Sequence, residues 1–208
     1  MFGIHDFGVF LASCIILNLT PGPDTLYILG RSMAQGRSAG IASVVGISCG
    51  SIIHTLVAAF GLSALLAASA SAFLAVKLAG AGYLTYLGVR LFFTRAAATA
   101  IPTAFSSSGF LAVFRQGLLT NVLNPKVALF FLAFMPQFIA TDSPNKFAAF
   151  IVLGVSFVTT GTVWCLCLAW LSSVLGDRLR SSTTLSDILN RAAGALFIFL
   201  GIRLATAK

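Results

Sequence analysis

Long hydrophobic stretches run through this 208-residue chain, and short polar segments separate them. Six stretches read as spanning helices, at residues 6–30, 40–68, 73–94, 116–140, 147–174 and 191–206, of which the last is the shortest. A transmembrane helix needs about 20 mostly apolar residues. The pattern therefore predicts an all-α integral membrane protein with six transmembrane helices.

Helix-breaking residues interrupt the first and fourth predicted helices. The first contains Asn18-Leu-Thr-Pro21-Gly22-Pro23-Asp24, and the fourth contains Asn121-Val-Leu-Asn124-Pro125-Lys126. Proline lacks a backbone donor and disfavours helix in the residue before it. Unwound backbone survives inside a bilayer only where it is buried in protein or lines a wet cavity, so each break indicates a site.

The two breaks occupy corresponding places in the two halves of the chain. Each has an asparagine, then a proline and then one charged residue, and each lies in the first helix of a set of three. Three spans per half would make the second half an inverted copy of the first. We predict a single transporter domain over residues 1–208, with repeat halves at about 1–95 and 110–208 joined by a flexible loop at 96–108.

Composition agrees with this class and excludes an ordinary soluble domain. Hydrophobic residues make up 58% of the chain, charged residues 9%, and the mean hydropathy is +1.00. Charged residues are about 25% of an average soluble protein. The net charge of +8 is distributed between the hydrophobic stretches and forms no single patch, so it indicates membrane topology and not nucleic-acid binding.

The basic residues also predict the orientation of the chain. Eight of the 13 lie in or beside loops one, three and five: Arg31, Arg37, Arg90, Arg95, Arg115, Arg178, Arg180 and Arg191. Only four lie near the opposite face: Lys77, Lys146, Arg203 and Lys208. Because short cytoplasmic loops carry an excess of lysine and arginine, we expect these three loops in the cytoplasm and both termini outside.

Two charged residues fall at the breaks, inside the predicted membrane. Asp24 alone among the five acids lies well within a predicted span, and Lys126 is its clearest basic counterpart. An ionisable group at mid-bilayer costs roughly 2.5–3.5 kcal/mol on insertion scales, so it usually faces the protein interior and has a partner. The structural alternative is that Asp24 only caps the helix that resumes after Pro23.

Depth along the helices favours a shared site for the two charges. At about 1.5 Å per residue, Asp24 lies roughly 10 Å from Arg31, and Lys126 lies roughly 16 Å from Arg115, both measured from the same predicted face. A carboxylate would bind a substrate ammonium, and an ammonium would bind a substrate carboxylate. Uncharged hydrogen-bonding groups for such a zwitterion pocket would come from Asn18, Asn121 and Asn124.

The other reactive residue types predict no catalytic or metal chemistry. Histidine side chains can exchange protons under physiological conditions, so His54 would suit proton coupling, although a lone histidine on an apolar helix is more often hydrogen-bonded core. Cys14, Cys49, Cys165 and Cys167 lie in apolar stretches without ligand-like neighbours, so we predict small buried hydrophobes, no metal and no cofactor. With no glutamate in the chain and no activated nucleophile visible, we expect no enzyme.

Taken together, the motifs resemble the LysE/RhtB family of amino-acid exporters. The matching residues are Asn18-x-x-Pro21-Gly22-Pro23, then Gly36, Gly40 and Gly46, then Gly82-Tyr83-Leu84-x-Tyr86-Leu87-Gly88-x-Arg90, and finally Asn121-x-x-Asn124-Pro125-Lys126 followed by Phe130-Phe131. They extend over roughly the first 140 residues. Each motif alone is weak evidence for the family, but the combination is specific to it. The predicted six-span arrangement agrees with the resemblance.

This resemblance implies export of amino acids or their derivatives across the bacterial inner membrane in exchange for protons, by a multi-pass protein. It also implies that Pro21, Gly22, Pro23 and Pro125 lie near the transport path and that Asp24 is a proton or substrate site. Basic and branched amino acids, homoserine and threonine all lie in the family's range, so no substrate name follows. A passive pore or a structural membrane subunit is the alternative, and an integral-membrane enzyme is less favoured. Small-residue helix faces allow a homodimer without requiring one.

Overall fold

The structure, a computed structural model, describes residues 2–62, 64, 70–93, 108–140, 142–181 and 183–206. In order, its helices are α1 (Phe7–Leu19), α2 (Pro23–Gln35), α3 (Arg37–Val57), α4 (Ala70–Phe93), α5 (Phe110–Val122), α6 (Pro125–Leu129), α7 (Lys146–Ser181) and α8 (Thr183–Thr206). A π-helical turn at Ala58–Leu62 extends α3, and a π turn at Phe130–Phe134 and a 3-10 turn at Met135–Phe138 extend α6. Over these residues the all-α prediction is confirmed.

Length and hydropathy identify the helices that can cross a bilayer. α3 with its π turn (Arg37–Leu62) qualifies, and so does Lys146–Ser172 within α7. Two further candidates are bent pairs: α1 with α2, bent by 49°, and α5 with the helical segment Pro125–Phe138, bent by 47°. The described residues thus contain two spans, or four if each bent pair is one span, and the chain is a multi-pass membrane protein. Both bends coincide with the predicted breaks.

Several helices extend beyond the predicted spans. α5 begins at Phe110 instead of residue 116, α7 continues to Ser181 instead of residue 174, and α8 begins at Thr183 instead of residue 191. Hydropathy marks the apolar part of a helix, whereas the helix itself continues into polar residues whose backbone groups water can satisfy. The predicted loop at 96–108 lies outside the described residues except for Ser108, as do residues 63 and 65–68 of the second predicted span.

Proline chemistry sets the local geometry of both breaks. Thr20, which precedes Pro21, is extended at φ −70° and ψ 120°, so α1 ends at Leu19. Pro23 occupies the first turn of α2, where a missing N–H leaves no hydrogen bond unmade. At the second break the side chain of Asn124 caps α6 by accepting a hydrogen bond from the Lys126 amide at 3.0 Å. Each break therefore ends one helix and begins another within a few residues.

Glycines bring the helices around the breaks into close contact. A side chain at Gly46 of α3 would overlap the Phe114 backbone of α5, and a Cβ at Gly117 would lie 2.8 Å from the Ser43 carbonyl oxygen. α4 and α8 meet in the same way at Gly88 and Gly194, where a Cβ on either residue would lie 2.7 Å from the other's carbonyl oxygen. Small residues at these helix crossings allow the two backbones to approach closely. The neighbouring side chains are then enclosed between the two helices.

Two apolar clusters flank the first break. The phenylalanine cluster contains Phe10, Phe130, Phe131, Phe134, Phe138 and Phe157, whose neighbouring ring centroids lie 4.6–6.2 Å apart. The Tyr27 cluster contains Tyr27, Ile28, Leu29, Ala42, Val44, Ile47, Val113, Leu168 and Ala169. The first cluster includes the residues of α1 that precede the break, and the second includes the residues of α2 that follow it. The polar residues of the breaks therefore lie between two apolar layers.

Candidate functional site

A cavity of about 40 Å³ lies where the two helix breaks meet. Four of the residues predicted from sequence line it: Asn18, Asp24, Asn121 and Lys126. The other lining residues are Leu17, Thr25, Ile47, Ser48, Ser51, Val127, Phe157, Val158, Gly161, Thr162, Trp164 and Cys165. The two charges and two of the three asparagines thus share one cavity, although they come from separate halves of the chain.

Asp24 presents one carboxylate oxygen to the protein and keeps the other unpaired. The amide of Asn121 donates to Asp24 Oδ2 at 2.7 Å, whereas Asp24 Oδ1 is buried and has no hydrogen-bond partner. The residue at the N-cap of α2 is Gly22, with no side-chain cap, so the interpretation of Asp24 as the capping residue is wrong. The carboxylate still lies in the first turn, where the helix dipole favours a negative charge. Its free oxygen is an acceptor for a cationic ligand.

Lys126 binds the end of α1. Its Nζ donates to the backbone carbonyls of Leu17 at 3.2 Å and Thr20 at 2.9 Å. Carbonyls at a helix C-terminus lack partners within the helix and carry the negative end of its dipole, so they stabilise an ammonium. An ammonium has three N–H donors, which leaves one for a ligand in the cavity.

Gly22 provides the space that Lys126 occupies. A Cβ at Gly22 would lie 3.1 Å from Lys126 Nζ and 3.4 Å from its Cε. Gly22 itself is extended, with φ −164° and ψ −175°, a conformation that any residue can adopt. A larger residue here would require the end of Lys126 to shift by a few tenths of an ångström, so close approach of the lysine, and not backbone freedom, favours glycine at this position.

Asn121 connects the two halves of the site. It is 1% exposed, donates to Asp24, and accepts from Ser51 Oγ at 3.3 Å through its side-chain oxygen. A Cβ at Gly50 would lie 2.6 Å from that oxygen, so α3 accommodates the amide only because residue 50 is glycine. Asn121 is thus held from two directions, which fixes the amide that orients the Asp24 carboxylate.

His54 lies beside the cavity. Its Nε2 is 3.2 Å from the backbone oxygen of Asn121, and because a carbonyl only accepts, this nitrogen carries the hydrogen in that contact. The His54 ring stacks on Phe131 with centroids 5.6 Å apart and planes 20° apart. The histidine is therefore hydrogen-bonded to Asn121 and packed against Phe131, and Asn121 connects it to Asp24.

The remaining predicted residues shape the breaks. Asn124 is 1% exposed and caps α6, and its Nδ2 has no hydrogen-bond partner. Pro23 and Pro125 begin helices immediately before the lining residues Asp24 and Lys126, and Pro21 follows the end of α1. These four residues determine where the lining side chains lie, and the cavity wall itself is made by their neighbours.

The α3 and α7 side of the cavity was missed by sequence reasoning. Ser48 and Thr162 hydrogen-bond to each other at 2.7 Å across it, and Asn18 Nδ2 donates to Thr160 Oγ1 at 3.4 Å. Trp164 lines it with a buried Nε1 that has no hydrogen-bond partner. Serine, threonine and single tryptophans are common in membrane helices, so nothing in the sequence marks these residues. Cys165, predicted as a buried hydrophobe, also lines the cavity.

A second polar group lies farther along α2. Arg31 donates to Gln116 of α5 and, through Nη1, to Gln35 at 2.9 Å, and its guanidinium lies 5.7 Å from the centre of the Tyr27 ring. Tyr27 Oη donates to the Val113 carbonyl at 2.8 Å. Arg31, which the topology count places beside loop one, is only 3% exposed and is therefore an interior residue. This network joins α2 to α5.

Comparison with known proteins identifies relatives along the full chain. An uncharacterized membrane protein of Vibrio cholerae is 32% identical over 205 residues, covering 99% of this chain and 98% of its own. A protein of Salmonella typhimurium named leucine efflux protein is 26% identical over 207 residues, covering 100% and 98% of the two chains. An uncharacterized membrane protein of Pseudomonas aeruginosa is 30% identical, covering 99% and 97%. No solved structure gives a significant match.

The family-level comparison agrees with the motifs at the two breaks. The model of the LysE type translocator family matches residues 15–208, which includes both breaks and every residue that lines the cavity. Translocators and efflux proteins of this kind are transporters and not enzymes. The chain therefore belongs to the LysE type translocator family.

Proposed function

We propose that this protein exports amino acids across the bacterial inner membrane, in exchange for protons, by alternating access. The observation that carries the proposal is the cavity between the two broken helices, which combines one carboxylate, one ammonium and the amides of Asn18 and Asn121. Membership of a translocator family and the likeness to a leucine efflux protein support the export of an amino acid. Discontinuous helices are where transporters bind substrates and coupling ions.

The two charges match the two ends of an α-amino acid. Asp24 Oδ1 accepts from the substrate ammonium, and the third N–H of Lys126 donates to the substrate carboxylate. Each contact is a charge-assisted hydrogen bond, which is roughly twice as strong as a neutral one. The start of α2 also favours an anionic group, since its first N–H groups lack helical partners.

The wall of the cavity indicates which side chain the substrate carries. Its apolar part is formed by Leu17, Ile47, Val127, Phe157 and Val158. Among the described residues that line the cavity, Asp24 and Lys126 are the charged ones, and both are assigned to the backbone of the substrate. A charged substrate side chain would be buried here without a partner. The free energy lost by burying an unpaired charge is far larger than the free energy gained by burying an apolar side chain. We therefore propose a neutral, apolar amino acid.

Asp24 also provides the simplest coupling to protons. A carboxylate that binds a substrate ammonium cannot be protonated at the same time, so proton and amino acid exclude each other at this residue. If the protein changes between its two conformations only when Asp24 has bound either a proton or an amino acid, each cycle exchanges a proton for an amino acid. His54, hydrogen-bonded to the Asn121 that orients Asp24, is the candidate to pass the proton to and from it.

Alternating access is supported by the surroundings of the cavity. Packed residues bound it on two sides. On one side the Tyr27–Arg31–Gln116 network joins α2 to α5, and on the other lies the phenylalanine cluster. We propose that halves at 1–95 and 110–208 are inverted repeats, that they separate on one face at a time, and that the Arg31 network closes the cytoplasmic side.

Transport in proteoliposomes tests this function. Purified protein is reconstituted into vesicles that are acidic inside, and uptake of labelled leucine, threonine, lysine and glutamate is followed with and without a protonophore. We expect leucine to accumulate above its external concentration and the protonophore to abolish accumulation. Uptake that only equilibrates, whatever the pH gradient, would identify a passive pore. No flux of any amino acid through folded protein would contradict the proposal.

A further inference from the structure

Trp164 of α7 carries a buried hydrogen-bond donor without a partner in the protein. Its Nε1 is enclosed, and the residue lines the same cavity as Asp24. An indole N–H can only donate, and a buried tryptophan usually has an acceptor because an unmade hydrogen bond is costly away from water. On α3 and α7 nearby, Ser48 and Thr162 hydrogen-bond to each other, and neither hydroxyl is a partner of Trp164 Nε1.

A second unpaired atom, on another residue that lines the cavity, has the opposite character. Asp24 Oδ1 only accepts when ionised, and it is buried without a partner. Asp24 of α2 and Trp164 of α7 thus line one cavity, and each has a buried polar atom without a hydrogen bond, an acceptor on Asp24 and a donor on Trp164. A ligand with a cationic donor at one end and an anionic acceptor at the other satisfies both. An α-amino acid is such a ligand.

We propose that Trp164 Nε1 donates to the α-carboxylate of the substrate and is a specificity-determining residue of the site. The inference rests on the proposed function, because it takes the ligand to be an amino acid. Lys126 holds two of its three donors on the end of α1, so it supplies a single hydrogen bond to a group that can accept several. Trp164 supplies the second, and its rigid ring adds a fixed direction that a flexible lysine lacks. Trp164 thereby selects for ligands with a carboxylate.

The two tryptophans of the chain allow the contact to be observed directly. Trp170 lies on the same helix but is 65% exposed, with the Arg37 guanidinium 5.7 Å from its ring centre. The substitution Trp170→Phe leaves Trp164 as the single tryptophan of the full chain. We expect leucine to change the emission of this variant in a saturable way, with the same midpoint as binding of labelled leucine. In Trp164→Phe, where only Trp170 emits, leucine should change nothing.

A comparison of two ligands tests the hydrogen bond itself. The probes are leucine and 3-methylbutylamine, which is leucine without its carboxylate, and their dissociation constants are measured by calorimetry. We expect Trp164→Phe to weaken leucine about tenfold or more, the usual effect of losing a hydrogen bond to a charged group, and to leave the amine unchanged. Trp170→Phe, which removes the same group outside the cavity, should change neither value.

The outcomes separate this inference from the proposed function. If wild-type protein and Trp164→Phe bind leucine equally, or if the substitution weakens both ligands by the same factor, the carboxylate contact is refuted while amino-acid binding stands. An emission from Trp164 that stays constant while labelled leucine saturates the protein refutes it in the same way. If the wild-type protein binds no amino acid at all, both proposals fall together.

Discussion

Asp24 and Lys126 share a cavity, and each is held by neutral groups. Asn121 donates to the Asp24 carboxylate, and the Leu17 and Thr20 carbonyls accept from Lys126. Had the two charges paired directly, a substrate would have to break that pair before it could bind, and the desolvated pair would be costly to separate. Neutral partners keep both charges in place and leave one coordination position on each.

Replacing Asp24 by Asn should abolish proton-coupled export while leaving insertion into the membrane intact. The amide keeps the size of the side chain but can neither bind a proton nor neutralise a substrate ammonium. Leucine accumulation in acid-inside vesicles is the measurement, with protein content checked in the same membranes. Asp142→Asn makes the same change at an exposed residue and should transport normally. Proton-coupled transport at the wild-type rate in Asp24→Asn would remove this residue from the mechanism.

Replacing Lys126 by Ala should reduce both stability and affinity. The carbonyls of Leu17 and Thr20 would lose their donor, which costs about 1–3 kcal/mol for a buried group, and the substrate carboxylate would lose its cation. Thermal unfolding and leucine binding are measured side by side. Lys146→Ala is the matched control, because Lys146 also donates to a carbonyl, that of Ser143 at 3.1 Å, away from the cavity. Equal effects of the two substitutions on leucine affinity would contradict a role at the site.

At the scale of helices, the breaks and the glycines act together. The breaks place Asp24 and Lys126 near helix ends. The glycines bring α3 close enough to α5 for the Asn121 side chain of α5 to pack against the α3 backbone. A helix with a residue larger than glycine at position 50 could not approach in this way. The polar site therefore depends on backbone contacts that carry no polar chemistry of their own.

Gly50→Ala should disturb the site through Asn121. The new Cβ would lie 2.6 Å from Asn121 Oδ1 and 2.8 Å from its Cβ, so the amide or the helix must move, at a cost of about 1–3 kcal/mol. We expect lower thermal stability and weaker leucine binding. Gly82→Ala is the control, since a Cβ there meets no atom within 4 Å, and it should be neutral or slightly stabilising. Unchanged affinity in a well-folded Gly50→Ala variant would show that the Asn121 contact does not set substrate binding.

For the whole molecule, the proposed alternating access requires the cavity to open on one side at a time. Apolar packing at the phenylalanine cluster lies on one side of the cavity and the hydrogen bonds of Arg31 lie on the other, so each of these contacts would have to separate when its side opens. Membrane-embedded cores rearrange between discrete states and do not deform continuously. Access to a lining residue therefore reports the conformational cycle.

Cys165 provides such a reporter. A variant that keeps only this cysteine, with Cys14, Cys49 and Cys167 replaced by alanine, is treated with a maleimide in the presence and absence of leucine. We expect leucine to slow the modification of Cys165 several-fold, because the cysteine lines the cavity that the substrate fills. A variant that keeps only Cys167, which is exposed outside the cavity, should react at the same rate with and without leucine. Equal rates for Cys165 would contradict occupation of this cavity.

Residues that act through local chemistry could be predicted from the sequence alone. The prolines at 21, 23 and 125 interrupt helices wherever they occur, and the two bends lie at those positions. Asp24 and Lys126 were recognisable because a charge in an apolar stretch is costly and therefore informative. Ser51, Thr162 and Trp164 could not be recognised, because such residues occur throughout membrane helices and acquire a role only from what they face.

Hydropathy, proline geometry and motif spacing act over a few residues, so the helical membrane class, the family and the two breaks can be predicted from the amino-acid sequence alone. Three contacts follow only from the tertiary structure: Lys126 binds the end of α1, Arg31 is buried against Gln116, and Trp164 lines the same cavity as Asp24. These contacts join residues far apart in the chain, and they depend on how closely the glycine-bearing helices pack. Distance and burial between helices are properties of the assembled fold, which no local pattern encodes.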